Sequence, residues 1–111
     1  MNALDGHRLC ALADLDDPGA KGFALAHGMR IFVVRQGDEI RGYANSCPHQ
    51  GTTLDWNPDV FLTVDKSHIQ CATHGAWFRI ADGTCIAGPC VGHKLYAVPV
   101  RIEGDDVVLA E

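Results

Sequence analysis

Two short stretches of this chain nearly repeat each other, Cys47-Pro48-His49-Gln50-Gly51-Thr52 and Cys71-Ala72-Thr73-His74-Gly75-Ala76. Each offers one thiolate and one imidazole, and each carries a glycine just beyond the histidine. Two cysteines and two histidines can close a single metal site, and zinc accepts that donor set. Zinc ribbons and fingers, however, usually pair their ligands as Cys-x2–4-Cys, which neither stretch does. In Cys-x-His the two ligands lie too close in sequence to clamp one ion comfortably. In a two-iron cluster the same spacing lets Cys47 bind one iron while His49 reaches the other, and Cys71 and His74 do likewise. One iron then has two thiolates and the other two imidazoles. Neutral imidazole in place of anionic thiolate makes such a cluster less negative and easier to reduce, with the added electron on the histidine-ligated iron. Gly51 and Gly75 are expected to let backbone N–H groups approach the cluster sulfurs.

Short apolar stretches alternating with turn signals must position these loops, and they read as an all-β domain. Leu9 to Leu12 is the first expected strand, and Asp16-Asp17-Pro18-Gly19 the first turn. Gly22 to Ala26 and Met29 to Arg35 follow, the latter carrying the run Ile31-Phe32-Val33-Val34. Gly37-Asp38 makes a hairpin turn into Glu39 to Ala44. Ile69 and Gln70 lead into the second loop and Trp77 to Ile80 leads out of it, with a further hairpin signal at Asp82-Gly83. Leu95 to Ile102 and Asp106 to Leu109 form a C-terminal pair turning at Glu103-Gly104-Asp105. Both chain ends thus build an antiparallel base, and a cluster-binding part is inserted at about residues 45–90. The polar stretch 52–60, with Pro58, reads as a loop that has room for one short helical turn.

The 111 residues, 47% hydrophobic, make one small domain, residues 1–111. Mean hydropathy is near zero. No run approaches the roughly 18 apolar residues of a membrane span. The start, Met1 to Arg8, lacks a basic and then apolar stretch, so no secretory signal is expected. Five cysteines in such a length suit a secreted disulfide scaffold, but two of them stand beside histidines at ligand spacing, which favours a reducing cytoplasm. A net charge of −5 argues against a nucleic-acid partner. Residues 44–54 and 71–78 contain no charged side chain, while acids gather at Asp14, Asp16 and Asp17, at Asp38 and Glu39, and at Asp105 and Asp106. That gives a nonpolar tip for close approach to a redox partner, with an acidic body behind it to orient a basic one. The plainer reading is that acids keep the domain soluble.

The two loops, with His74-Gly75-Ala76-Trp77-Phe78, Asp82-Gly83, Gly88-Pro89 and the tail Leu95-Tyr96-Ala97-Val98-Pro99-Val100 before Gly104, resemble the Rieske ferredoxin family. The resemblance covers most of the chain and is specific as a set; the spacer between the loops is longer than usual in the family. It implies the Rieske iron–sulfur fold, a β-sandwich or barrel-like base carrying one [2Fe–2S] cluster. It also implies Cys47, His49, Cys71 and His74 as ligands and Gly88-Pro89 as a third loop that lids the cluster. By the same resemblance the protein is a monomeric one-electron carrier, not an enzyme, between a flavin-containing reductase and an oxygenase. No second iron site of two histidines and a carboxylate appears at recognisable spacing. The alternatives are a small subunit of a larger redox complex such as a nitrite reductase, a redox or iron sensor, and the zinc module.

The resemblance also bears on potential. High-potential relatives tie their loops with a disulfide whose positions here are Thr52 and Thr73. They also place a serine and a tyrosine where this chain has Ala76 and Phe78. The midpoint is therefore expected low in the family span of about −150 to +300 mV.

The other candidates have bland readings. Cys10 reads as a small core hydrophobe. Cys85 and Cys90 read first as packing residues, then as a disulfide, and last as ligands. His68 is expected on a sheet surface and His93 in a solvated loop. Trp56 and Trp77 are expected to pack, with an exposed docking role the alternative for Trp56.

Overall fold

Four consecutive apolar residues, Ile31-Phe32-Val33-Val34, cannot alternate between core and solvent, so a strand that contains them must be covered on both faces. The computed structural model, which describes residues 8–25, 28–46, 54, 61–63, 65–71, 75–88 and 91–110, shows this. All four are buried, with at most 0% exposure. Phe32 and Val34 point into one core, with Tyr43, Leu54, Phe61, Ile69, Phe78 and Leu95. Val33 points into a second, with Cys10, Leu15 and Val107.

Among the described residues the strands are β1 (Arg8–Ala11), β2 (Gly19–Ala24), β3 (Arg30–Gln36), β4 (Glu39–Ala44), β5 (Ile69–Gln70), β6 (Trp77–Phe78), β7 (Cys85–Ala87), β8 (Ala97–Val98), β9 (Val100–Glu103) and β10 (Asp106–Leu109). They form three antiparallel sheets, ordered β1-β10-β9, β2-β3-β4-β8 and β5-β6-β7. The first two are built from both chain ends and enclose the core around Val33. The third is the inserted part, and the core around Phe32 lies between it and the β3–β4 hairpin. Phe32 stacks on Phe61 there, with ring centroids 4.4 Å apart.

Several expected boundaries move, each for a physical reason. The first strand ends at Ala11, because Leu12–Asp14 forms a 3-10 turn in which the Asp14 carboxylate accepts the Ala11 N–H. β2 begins at Gly19, which pairs with Arg35, and so it ends before Ala26. Leu95 to Ile102 is two strands: Pro99 has no N–H to give a ladder, and at that break the chain passes from β4's edge to β10. The strand leaving the second loop is only Trp77–Phe78, because the chain turns at once, with Gly83 N–H on the Arg79 carbonyl at 2.7 Å. β7 (Cys85–Ala87) is the return strand of the hairpin signalled at Asp82-Gly83, and it pairs with β6. Stretch 52–60 lies outside the described residues except for Leu54.

The gathered acids share one end of the base. Gly37 N–H, in the β3–β4 turn, donates to Asp17 Oδ1 at 2.7 Å, and Leu12 N–H donates to the Asp105 carbonyl at 2.8 Å. Arg35 draws the same end together, donating to the Leu12 and Leu15 carbonyls at 3.2 Å each. At the opposite end of β3, the Arg30 carbonyl accepts the N–H of Asn45, the residue that leads into the first loop.

Candidate metal centre

Each candidate loop is rooted differently. The second loop caps the β5–β6 hairpin, in which Ile69 faces Phe78 and Gln70 faces Trp77. The ladder continues one step, with Cys71 N–H on the Ala76 carbonyl at 2.8 Å. Gly75, at φ +68°, turns its N–H onto the Cys71 carbonyl at 2.9 Å, a left-handed conformation that costs glycine nothing. This N–H therefore closes the loop. The first loop leaves β4 through Asn45, whose Oδ1 accepts the N–H of Leu54 at 2.7 Å.

A third loop follows β7. Cys85 N–H meets the His93 carbonyl at 2.9 Å, and Leu95 N–H meets that of Gly83 at 2.9 Å, so the chain entering β7 and the chain at His93–Leu95 are held side by side. Gly88, at φ +94°, lies directly on the second loop: a Cβ there would stand 2.8 Å from Ala76 Cα. Only glycine permits that approach.

Leu54, Cys71, Ala76 and Cys85 thus mark the roots of three loops, and all four are buried in one core. Of the expected ligands, Cys71 is placed at the start of its loop with 0% exposure. Cys47, His49 and His74 lie outside the described residues, as do Gly51, Thr52, Trp56, Thr73, Pro89 and Cys90. The residues that are placed fit a two-iron cluster. Cys71 offers a sulfur donor, a ligand type such clusters take, at the root of the loop that bears His74.

The bland readings can now be placed. Cys10 is buried, and its thiol pKa is raised by that burial and then by nearby Asp14. Such a thiol is an inert core residue. The buried Cys85 thiol donates to the Ala87 carbonyl at 3.2 Å, as a packing residue does. His93 is exposed. His68 lies half-buried against Trp77, ring centroids 5.2 Å apart, and Trp77 is 36% exposed. Trp77 is thus on the outer face of the sheet and not in the core, because its neighbour Phe78 takes the inward side of the pleat. Sequence reasoning missed Asn45. An asparagine between a strand and a cysteine loop was the only signal for it.

One class of domain that such loops on a small antiparallel base can serve holds a two-iron cluster by mixed thiolate and imidazole ligation. The profile of the Rieske [2Fe-2S] domain matches residues 6–108, and the chain belongs to that family. No curated protein matches it. Among solved structures it is similar to the ferredoxin of carbazole 1,9a-dioxygenase from Nocardioides aromaticivorans IC177, at 26% identity and TM-score 0.77, over 96% of this chain and 97% of that one. It is equally similar to the Sphingomonas yanoikuyae B1 ferredoxin, at 26% identity and TM-score 0.76, over 96% and 99%. A complex of reduced oxygenase and oxidized ferredoxin in carbazole 1,9a-dioxygenase shares the fold, at 22% identity and TM-score 0.80, over 96% and 94%. The cofactor is accordingly one [2Fe–2S] cluster, and the zinc reading is set aside.

Proposed function

We propose that Cys47 and Cys71 hold one iron of the cluster and His49 and His74 the other. The protein is an electron carrier of the Rieske ferredoxin type, taking single electrons from a flavin reductase and passing them to an oxygenase. The observation that carries this reading is the convergence of three loop roots, Leu54, Cys71 with Ala76, and Cys85, in one core. The cluster supplies the one-electron chemistry. The chain's own part is to bury the Cys71 side, to keep the loops in fixed relation through that core, and to leave an imidazole edge for the partner. We further propose that residues 1–111 act as a single Rieske domain, with the cluster-binding part at about 45–90, as a monomer in the cytoplasm and without a nucleic-acid partner. Among the described residues no helix is long and apolar enough to cross a membrane.

The test combines composition and turnover. The wild-type chain is expected to contain two irons and two sulfides and to support oxygenase turnover with a flavin reductase. Cys47→Ser, His49→Ala, Cys71→Ser and His74→Ala should each lose the normal cluster, and stability with it, because metal binding is part of the folding free energy. Two irons and an unchanged visible spectrum in any variant would strike that residue from the set. A loaded wild-type chain that carries no current to any oxygenase would contradict the carrier role.

A further inference from the structure

The two ligand-bearing loops are closed by different devices. Among the described residues the second is closed by main chain, through the Cys71–Ala76 ladder step and the Gly75 N–H. The first is closed by a side chain. Asn45 is buried at 9% exposure, and its Oδ1 accepts the N–H of Leu54, nine residues on, in a buried bond of 2.7 Å. Both ends of that bond are themselves fixed. The N–H of Asn45 donates to the Arg30 carbonyl at 2.9 Å and so extends the β3–β4 ladder by one step. Leu54 has 0% exposure and packs with Phe32, Phe61 and Cys71.

We propose that Asn45 is a positioning residue for the cluster: its carboxamide oxygen clamps the stretch bearing Cys47 and His49 at the separation its ligands need. The inference rests on the ligand assignment above. Among the described residues, the Asn45 Oδ1–Leu54 N–H bond is what ties the two ends of this stretch together. The Leu54 N–H is held in a dry core, where an amide without an acceptor is destabilising. Removing the acceptor releases one end of the loop while the second loop, closed by its own backbone, stays in place.

The test uses the whole cluster-loaded chain and reads the visible circular dichroism, the electron paramagnetic resonance of the reduced form, the midpoint, and the rate of bleaching by a chelator. Asn45→Ala is expected to change both spectra, move the midpoint, and bleach about tenfold faster, the factor that ~1.4 kcal/mol of lost buried hydrogen bonding represents. Asn45→Asp keeps an oxygen facing Leu54 and should restore the wild-type spectra and bleaching rate, even if its charge lowers Tm. Tyr43→Phe is the structural control. It loses the buried bond from Tyr43 Oη to the Ile80 carbonyl, 2.6 Å, and should lower Tm without moving the spectra. Wild-type spectra and bleaching in Asn45→Ala would overturn the proposal, and so would equal changes in Asn45→Ala and Asn45→Asp. Should Asn45→Ala fail to load, Asn45→Asp decides: wild-type spectra uphold the clamp, and failure to load overturns it. Failure of the ligand assignment is separately visible, as two irons and an unchanged spectrum in Cys47→Ser or His49→Ala.

Discussion

Phe78 is fully buried in the same core as Cys71, at the position where high-potential members of the family carry a tyrosine. A hydroxyl that favours the reduced cluster by ~1.4 kcal/mol raises a one-electron potential by ~59 mV. Phe78→Tyr is therefore expected to raise the midpoint by tens of millivolts on that scale. The contrary result is an unchanged midpoint together with a lower Tm, which is what a new buried hydroxyl without a partner produces, at a cost of roughly 1–3 kcal/mol. Ala76 offers a poorer site for the same experiment, because Gly88 already presses on it. At this scale the sequence was legible where chemistry dictates residue type. Cys71 stands at a loop root, Cys10 and Cys85 are packing residues, and Gly88 permits the close approach of a third loop. It was not legible where geometry reassigns a group. The Gly75 N–H serves the Cys71 carbonyl, a bond within the loop that residue type alone does not specify. Trp77 faces outward because one step of the pleat separates it from Phe78.

Among the elements, the turn before β5 sets the entry to the second loop. Thr63 N–H meets the His68 carbonyl at 2.9 Å, and Asp65 ties the turn together. Its Oδ1 accepts from Thr63 Oγ1 at 2.7 Å, from Ser67 Oγ at 2.7 Å and from Ser67 N–H at 3.1 Å. The Thr63 hydroxyl, and then the Ser67 donors, hold the Asp65 carboxyl down at about 2. A carboxylate depressed in the folded state stabilises above its ordinary value and stops doing so as pH falls through its folded value. Asp65→Asn should therefore lower Tm by an amount that is constant from about pH 8 to about pH 5 and shrinks only below about pH 4. A gap that closes between pH 7 and pH 5 would show that another group holds the turn. The β3–β4 and β9–β10 hairpins of the base were readable because Gly37-Asp38 and Glu103-Gly104-Asp105 specify them locally; the order of the sheets was not. The division of residues 95–102 between two sheets was not, since it depends on which edge each half meets in space.

For the whole molecule, distance decides what the acids can do. β3 runs from the first loop's root at Arg30 to the acidic turn after Gln36, about 20 Å at 3.3 Å per residue. The Debye length is about 10 Å at 0.1 M salt, so acids at the far end are screened from a partner that docks at the loops. Solubility, the plainer reading of those charges, is favoured over steering. The rate of electron transfer to a redox partner is expected to change less than about twofold between 0.1 and 0.5 M salt. Replacing Asp17, Asp38 and Asp105 by asparagine together should leave it unchanged. A steep fall with salt that this triple variant abolishes would restore the steering role. The central claim is a mixed-ligand cluster tuned for a reductase-fed carrier, and the midpoint potential near pH 7 tests it most directly. With Ala76 and Phe78 in place of hydroxyl donors, and Thr52 and Thr73 where relatives join their loops, the account predicts a midpoint below zero, in the lower part of the family span of about −150 to +300 mV. A midpoint above about +100 mV on that scale would contradict it.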